Sequence, residues 1–458
     1  MRALLINVGH GSEAHDNHPR HNVAPIDLAL CASILEEAGY RVDLWDTAVT
    51  PSLSSADVAD RVTAKTPELL LVRPLHGCDQ PMKDLLNAAQ GTAKRILMGP
   101  SAAQFAKSYL KDGLIEGALI GEPELTLKDA LPHLRKKTLP ASIPGLQVQA
   151  DKTPSPRAFN QDLDALPFPA HHLLNRQGYQ FRYPLDVEDK LQIGYVLSSR
   201  GCALKCVFCA PVERETFGTK YRWRSAANIV DEIEWMRSLG TNAIYFIDDF
   251  FGFSKPRIRE LCEEMIRRDV ILPWAAQVRA QGIGLELLQL MRRAGCSTLC
   301  FGAESGSNRL LKAIRKGVTT DQIRTQAHAI HEAGIQLVGY FIVGAPGETD
   351  DERQATYDLI EDIEPEVVQI HIFNVFPGAP AMDIYPDLYD PTTTKFTGPG
   401  HNEEDPLDEE RRRFYRRYYL RPRYLRRTLK RRWKPMLANL DGELEFVRRS
   451  MRFFTGRV

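Results

Sequence analysis

With 458 residues, 43% of them hydrophobic and 26% charged, the chain is long enough for two or three globular domains with substantial cores. The N-terminus, MRALLINVGHGSEAHDNHP, turns polar after six or seven residues, and no later run approaches the length of a membrane span. These features exclude a secretory signal and a spanning helix and predict a cytoplasmic protein. The formal net charge of zero conceals an asymmetry: Arg411 to Lys434 holds thirteen Lys or Arg and no acidic residue, which leaves 46 basic against 59 acidic residues elsewhere.

In chain order, the first segment alternates strand and helix signals. ALLINV is followed by a helix from Ile26 to Ala38 that stops at Gly39, then by RVDLWD, LLLVR, a helix near Met82 to Ala89, RILMG and GALIG. This alternation predicts an α/β, doubly wound, Rossmann-like domain over residues 1–138, with ligands at the carboxyl ends of its strands. Residues 139–190 read as a linker, rich in proline (IPG, TPSP, LPFPAHH) and without sustained periodicity.

A second βα series has strands predicted at Gly194–Leu197, Ala243–Ile247, Trp274–Val278, Thr298–Phe301, Leu337–Val343 and Val367–Phe373. Helices are predicted near 226–238, 255–268, 285–293, 319–333 and 350–363. Six βα units predict a partial (β/α)6 barrel over 191–385, with chemistry at the C-terminal strand ends. From Leu407 the chain turns strongly helical and basic, so 386–458 is expected to be a helical C-terminal extension. No fixed-period short repeat is present, which argues against a solenoid.

The chain holds eight cysteines, and a reducing compartment argues against disulfides. Cys31, Cys78, Cys262, Cys296 and Cys300 are scattered through helix or strand patterns and read as small core residues. Cys202, Cys206 and Cys209 fall within eight positions, in a loop directly after the first barrel strand. Three thiolates can hold three irons of a cubane cluster and leave the fourth iron open for a ligand. The alternatives are a structural zinc site, which needs a fourth ligand, and three unrelated buried thiols.

The segment SSRGCALKCVFCAP resembles the signature of the radical S-adenosylmethionine superfamily. The resemblance implies a 4Fe-4S cluster on Cys202, Cys206 and Cys209, an S-adenosylmethionine held on the open iron, and a 5′-deoxyadenosyl radical. It also implies Phe208 beside the adenine, Glu304 and Ser305 (FGAESGS) near the methionyl or ribose part, and Ile342 to Gly344 (GYFIVGAPGET) approaching the adenine through backbone. Asp248, Asp249 and Arg279 stand at the second and third strand ends as barrel ion pairs or ligand contacts. The Gly-Gly-Glu segment common after the second strand is replaced by IDD.

The order NVGHGS, APIDLALCASILEEAGYRVDLWDT, LMGPSA and LIGEPELTLKDAL resembles the cobalamin-binding domain that precedes the barrel in one radical subfamily of C-methyltransferases and a tetrapyrrole cyclase. It implies Gly99, Pro100, Ser101, Gly121 and Glu122 against the corrin. No Asp-x-His-x-x-Gly segment is present to supply a lower histidine ligand. His10, His15, His18 and His21 read as a polar loop over the ligand or a metal-binding group, and His76 carries the same two readings.

Arg411 to Lys434 interleaves arginine with Phe414, Tyr415, Tyr418, Tyr419, Tyr424 and Trp433. This suits helices packed on the acidic body or an anionic membrane surface, and nucleic acid least. Together these readings predict a radical enzyme that methylates an unactivated carbon of a small-molecule, lipid or tetrapyrrole substrate, supplied with electrons by a flavodoxin- or ferredoxin-type donor. The rival activities are a radical cyclisation or rearrangement and a cluster-bearing electron-transfer or scaffold protein.

Overall fold

The computed structural model describes residues 1–8, 23–49, 55–74, 78–136, 138–175, 178–179, 185, 187, 191–209, 216–280, 282–375, 379–388 and 406–438. The histidines at 10, 15, 18, 21 and 76 lie outside the described residues. The chain forms two compact units. The first holds Met1–Phe181, Ser199–Ala203 and Val212–Arg224, and the second holds Arg182–Ser198, Leu204–Pro211 and Ser225–Val458.

The first unit is built on β1 (Arg2–Asn7), β2 (Arg41–Asp46), β3 (Leu69–Arg73), β4 (Lys94–Leu97), β5 (Gly117–Leu119) and β6 (Leu146–Gln147), in the order β2-β1-β3-β4-β5-β6. β1 to β5 are parallel, and β6 pairs antiparallel with β5. Strands such as LLLVR are continuous apolar runs because helices cover both faces, and the two faces carry separate buried clusters. The order reverses between β1 and β3, the position where doubly wound sheets open a crevice. Residues 139–175, without periodicity in sequence, fold onto this unit: Ala170 N–H donates to Ala29 O at 2.9 Å and Ser33 Oγ to Phe168 O at 2.6 Å.

The second unit contains β7 (Ile193–Val196), β10 (Ala243–Phe246), β11 (Trp274–Arg279), β12 (Cys296–Glu304), β13 (Gln336–Val343) and β14 (Val367–Ile372). All are parallel, in the order β14-β13-β12-β11-β10-β7. The helices between them start where the residues dictate. Thr319 with Gln322, and Thr349 with Glu352, form capping boxes at the starts of Thr320–Glu332 and Asp350–Ile363. One sheet face packs on these helices through Phe246, Trp274, Phe301 and Phe341. Side chains alternate along a strand, so Tyr195, Tyr245, Gln277, Cys300, Tyr340 and Gln369 stand on the opposite face, where Gln277 Nε2 donates to Tyr245 Oη at 2.9 Å.

β14 is an edge strand, and the basic helix Pro406–Tyr419 closes its open side. Ile370 N–H donates to Tyr415 Oη at 2.6 Å and Val368 N–H to Tyr419 Oη at 2.8 Å, while Arg411 Nη1 donates to Ile370 O at 3.1 Å. Residues four apart on a helix advance about 6 Å and residues two apart on a strand about 6.6 Å, so Tyr415 and Tyr419 keep step with Ile370 and Val368. Tyr418 and Tyr424 donate to the carbonyls of Pro365 and Glu366. The tail aromatics Phe414, Tyr415 and Tyr418 are therefore buried on the body, as expected for packing on the sheet.

Replacing Tyr415 with Phe strands a buried donor on Ile370. The expected loss is roughly 1–3 kcal/mol, read as a lower denaturant midpoint for the second unit, with Tyr424→Phe, at a half-buried position, costing less.

Candidate functional site

The cysteine loop is prepared residue by residue. Where β7 ends, Ser198 Oγ donates to the buried carboxylate of Asp248 at 2.9 Å, and Arg257 Nη2 donates to Ser198 O at 3.1 Å. Asp248 thus anchors the strand end. The next two residues form β8 (Ser199–Arg200), antiparallel to β9 (Arg222–Trp223). Arg200 is buried and reaches Glu124 Oε1 at 2.6 Å and Glu122 Oε1 at 3.2 Å, and Arg222 Nη1 meets the same Glu122 oxygen at 2.8 Å. Burial works against the charge on Arg200, but Glu124 and then Glu122 overcome it and hold its pKa above the ordinary value. The rings of Phe217 and Phe159 lie 5.2 and 5.1 Å from the two guanidinium carbons.

Gly201 follows with φ of +91°, and a Cβ there would stand 2.3 Å from Lys220 O, so no other residue fits without moving the backbone. Cys202 N–H then donates to Gly218 O at 3.3 Å. Further on, Val207 N–H donates to Ile314 O, and Ala381 N–H to Val207 O, both at 3.0 Å. Cys206 is buried, while Cys202 and Cys209 are partly exposed. Among the described residues, no group of three or more His, Cys, Asp or Glu is drawn together as a metal site. What the loop offers is its donor set: three thiols within eight residues, the type and number that suit three irons of a cubane. The other five cysteines are buried in or beside helices and strands. Burial pushes the Cys262 and Cys300 thiols up to about 12 and raises those of Cys31 and Cys296 well above the ordinary range.

Beside the loop, the second unit gathers residues from distant strand ends. Val207 and Ile342 share a buried cluster with Leu310 and Phe373, and Phe208 packs against it. Lys316 Nζ lies 5.7 Å from the centre of the Phe208 ring and 2.6 Å from Glu304 Oε1. Glu304 has φ of +66° where the β12–β13 register shifts between Gly302 and Glu304, a bulge of the kind that re-aims a side chain. Arg279 Nη2 donates to Lys316 O, while its buried Nε has no hydrogen-bond partner among the described residues. That unspent donor suits an anionic or carbonyl group of a ligand.

Ser305 is buried and serves the turn, accepting from Ser307 N–H at 3.1 Å and lying 3.3 Å from Thr356 Oγ1. Gly344 has φ of +74°; a Cβ there would come within 2.8 Å of Leu407 Cδ1, and its N–H donates to Glu348 at 2.6 Å. Asp249, partly buried, follows Asp248 in the turn after β10. Lys316 escaped the sequence reading because nothing in RKG distinguishes it from an ordinary solvated lysine.

In the first unit, Gly99, Pro100 and Ser101 make the turn from β4 into the helix Ala102–Lys111, and Gly121 and Glu122 make the turn from β5 into Pro123–Ala130. Both glycines have positive φ, and a Cβ on Gly121 would meet nothing within 4 Å, so its backbone is open to close approach. Glu122 differs from the expectation of a ligand contact: its carboxylate is committed to Arg200, Arg222 and Asn160 N–H. At the switch point, Arg73 is paired with Asp27 at 2.9 Å and Asn7 Nδ2 donates to Asp46 at 2.9 Å.

Two outcomes follow from this geometry. In metal-free protein near pH 8, iodoacetamide should modify Cys202 and Cys209 while Cys31, Cys262, Cys296 and Cys300 stay unlabelled until the chain is denatured, as read by peptide mass spectrometry, because the first two are partly open to solvent and the other four are buried. Arg200→Met should cost roughly 3–5 kcal/mol, since it leaves two buried carboxylates short of a partner, measured as a fall in the unfolding midpoint of the first unit.

Residues 196–360 match the family model described as the Radical SAM superfamily. An uncharacterized methyltransferase of Pyrococcus horikoshii is 26% identical, over 77% of this chain and 76% of its own. An anaerobic magnesium-protoporphyrin IX monomethyl ester cyclase of Rubrivivax gelatinosus is 24% identical, over 85% and 70%. Among solved structures, the radical S-adenosylmethionine methyltransferase TsrM of Kitasatospora setae, with cobalamin and a 4Fe-4S cluster bound, superposes with a TM-score of 0.67 at 20% identity, over 84% of this chain and 75% of that one. The two chains share a fold.

Proposed function

We propose that this chain, whose residues 196–360 belong to the Radical SAM superfamily, is a cobalamin-dependent radical enzyme that methylates an unactivated carbon of a small-molecule substrate. In this reading residues 1–138 take the cobalamin, 139–190 link, 191–385 form the catalytic barrel and 386–458 are a helical extension. Cys202, Cys206 and Cys209 hold a 4Fe-4S cluster. The observation that carries the reading is the assembly of Phe208, Lys316, Glu304 and Arg279 beside the cysteine loop, with the Arg279 Nε donor unspent.

The cluster, S-adenosylmethionine and cobalamin supply the radical and the methyl group; the protein supplies position and exclusion of water. Arg279 offers a donor to the carboxylate end of S-adenosylmethionine. Glu304, one carboxylate oxygen of which is paired with Lys316, and Ser305 are assigned to the methionyl or ribose part. Phe208, Ile342 and the Gly344 backbone form an apolar wall for the adenine. Gly99, Pro100, Ser101 and Gly121 offer backbone to the corrin, while Glu122 acts one step removed by holding Arg200. The polar sheet face of Tyr245, Gln277, Tyr340 and Gln369 favours a substrate with hydrogen-bonding groups over a purely apolar one. Electrons come from an external flavodoxin- or ferredoxin-type donor.

The second reading, a radical cyclisation without methyl transfer, is favoured by the likeness to the cyclase along 85% of the chain. Anaerobically reconstituted protein with reductant, cobalamin and candidate substrates separates the two. Methylation requires S-adenosylhomocysteine and 5′-deoxyadenosine together and a product heavier by one methylene; deoxyadenosine alone refutes it. Cys206→Ala is expected to lose the visible iron–sulfur absorbance and all S-adenosylmethionine cleavage, whereas Cys262→Ala retains both, and an equal loss in the two variants would overturn the ligand assignment.

A further inference from the structure

We infer that Lys316 is a positioning residue that sets the charge around the cysteine loop and thereby the reduction potential of the cluster held there; the inference rests on the cluster site proposed above. Its surroundings are specialised. Lys316 sits between two residues in left-handed backbone, Arg315 with φ of 54° and Gly317 with φ of 67°, and its N–H donates to Leu311 O at 2.9 Å. Arg279 donates to its carbonyl, and a Cβ on Gly317 would approach Arg279 Nη2 to 2.8 Å. On β12, a Cβ on Gly302 would stand 2.0 Å from Glu304 Oε1 and 2.6 Å from Lys316 Nζ. The space for this ion pair exists because residue 302 lacks a side chain.

The pair is nearly dry, with side-chain exposures of 12% for Lys316 and 7% for Glu304. A buried carboxylate without a counter-ion is costly and imposes a strong field on its neighbours. The ammonium cancels that field and also faces the ring of Phe208, the residue directly before Cys209, while Ile314 holds the backbone of Val207. Segment 314–316 therefore touches the cysteine loop twice, once through backbone and once through charge. One-electron reduction, with the electron delivered by the external donor, adds one negative charge to the cluster. A nearby uncompensated carboxylate opposes that step and a nearby ammonium favours it.

The test is a redox titration of the reconstituted full chain without S-adenosylmethionine, followed by the electron paramagnetic resonance signal of the reduced cluster, with iron content measured in parallel. Lys316→Met is expected to move the midpoint to more negative potential, Glu304→Gln to more positive potential, and the double variant back toward wild type, with Lys316→Arg close to wild type. A Lys316→Met protein with wild-type iron content and an unmoved midpoint overturns the inference. If Lys316→Met fails to fold, Glu304→Gln decides, because an unmoved midpoint there overturns it equally. Failure of the wild-type chain to assemble a paramagnetic cluster overturns the cluster reading itself, and this inference with it.

Discussion

The guanidinium of Arg200 is buried two residues before Cys202, and a charge in that position must be met by carboxylates or the strand it sits on cannot pack. Glu122 and Glu124 meet it, and both lie at the start of one helix, directly after Gly121. The turn after β5 and the approach to the cysteines are consequently one rigid piece of the first unit, with Arg222 and the rings of Phe159 and Phe217 completing the enclosure. Desolvating four charges gains little net stability over an apolar core. What it supplies is a single register: an apolar contact would tolerate sliding along β8, whereas two carboxylates aimed at one guanidinium do not.

Within the second unit the support of the loop is of a different kind. Val207 is clasped between the backbones of Ile314 and Ala381, and Phe208 rests on an apolar cluster with Ile342. Residues separated by more than a hundred positions meet there because parallel strands bring all their C-terminal ends to one edge of the sheet. Chemistry borne on such loops can vary while the sheet below stays constant.

The strands of the second unit were readable to within a few residues, since continuous apolar runs such as YFIV alternate with capped helices, and both signals are local. The five core cysteines were readable for the same reason. The helix Asn308–Ala313 and the pairing of β8 with β9 were not: the former is too short for periodicity and the latter is two residues long, paired across more than twenty. Residues 139–175, within the 139–190 stretch that reads as a linker, show no periodicity because their order comes from contacts such as those with helix Ile26–Glu37 and Glu122 rather than from a repeat of their own. Glu122 and Lys316 mark the limit of such reading at the site. Glu122 is expected from sequence at the corrin and Lys316 is not singled out at all, because the pairing of each depends on a partner about eighty and twelve positions away respectively.

The comb of tyrosines along β14 has a further consequence. A parallel sheet that stops at six strands leaves a row of amide and carbonyl groups that another chain could extend, the ordinary route to strand exchange and fibres. Here groups of that row are met by two tyrosine hydroxyls and a guanidinium from a helix whose spacing matches the strand. A helix cannot serve as a template for the next strand. This edge of the sheet is closed chemically, and the arginines of this helix and of the next, Pro422–Ala438, pair with Glu361, Glu364 and Glu366.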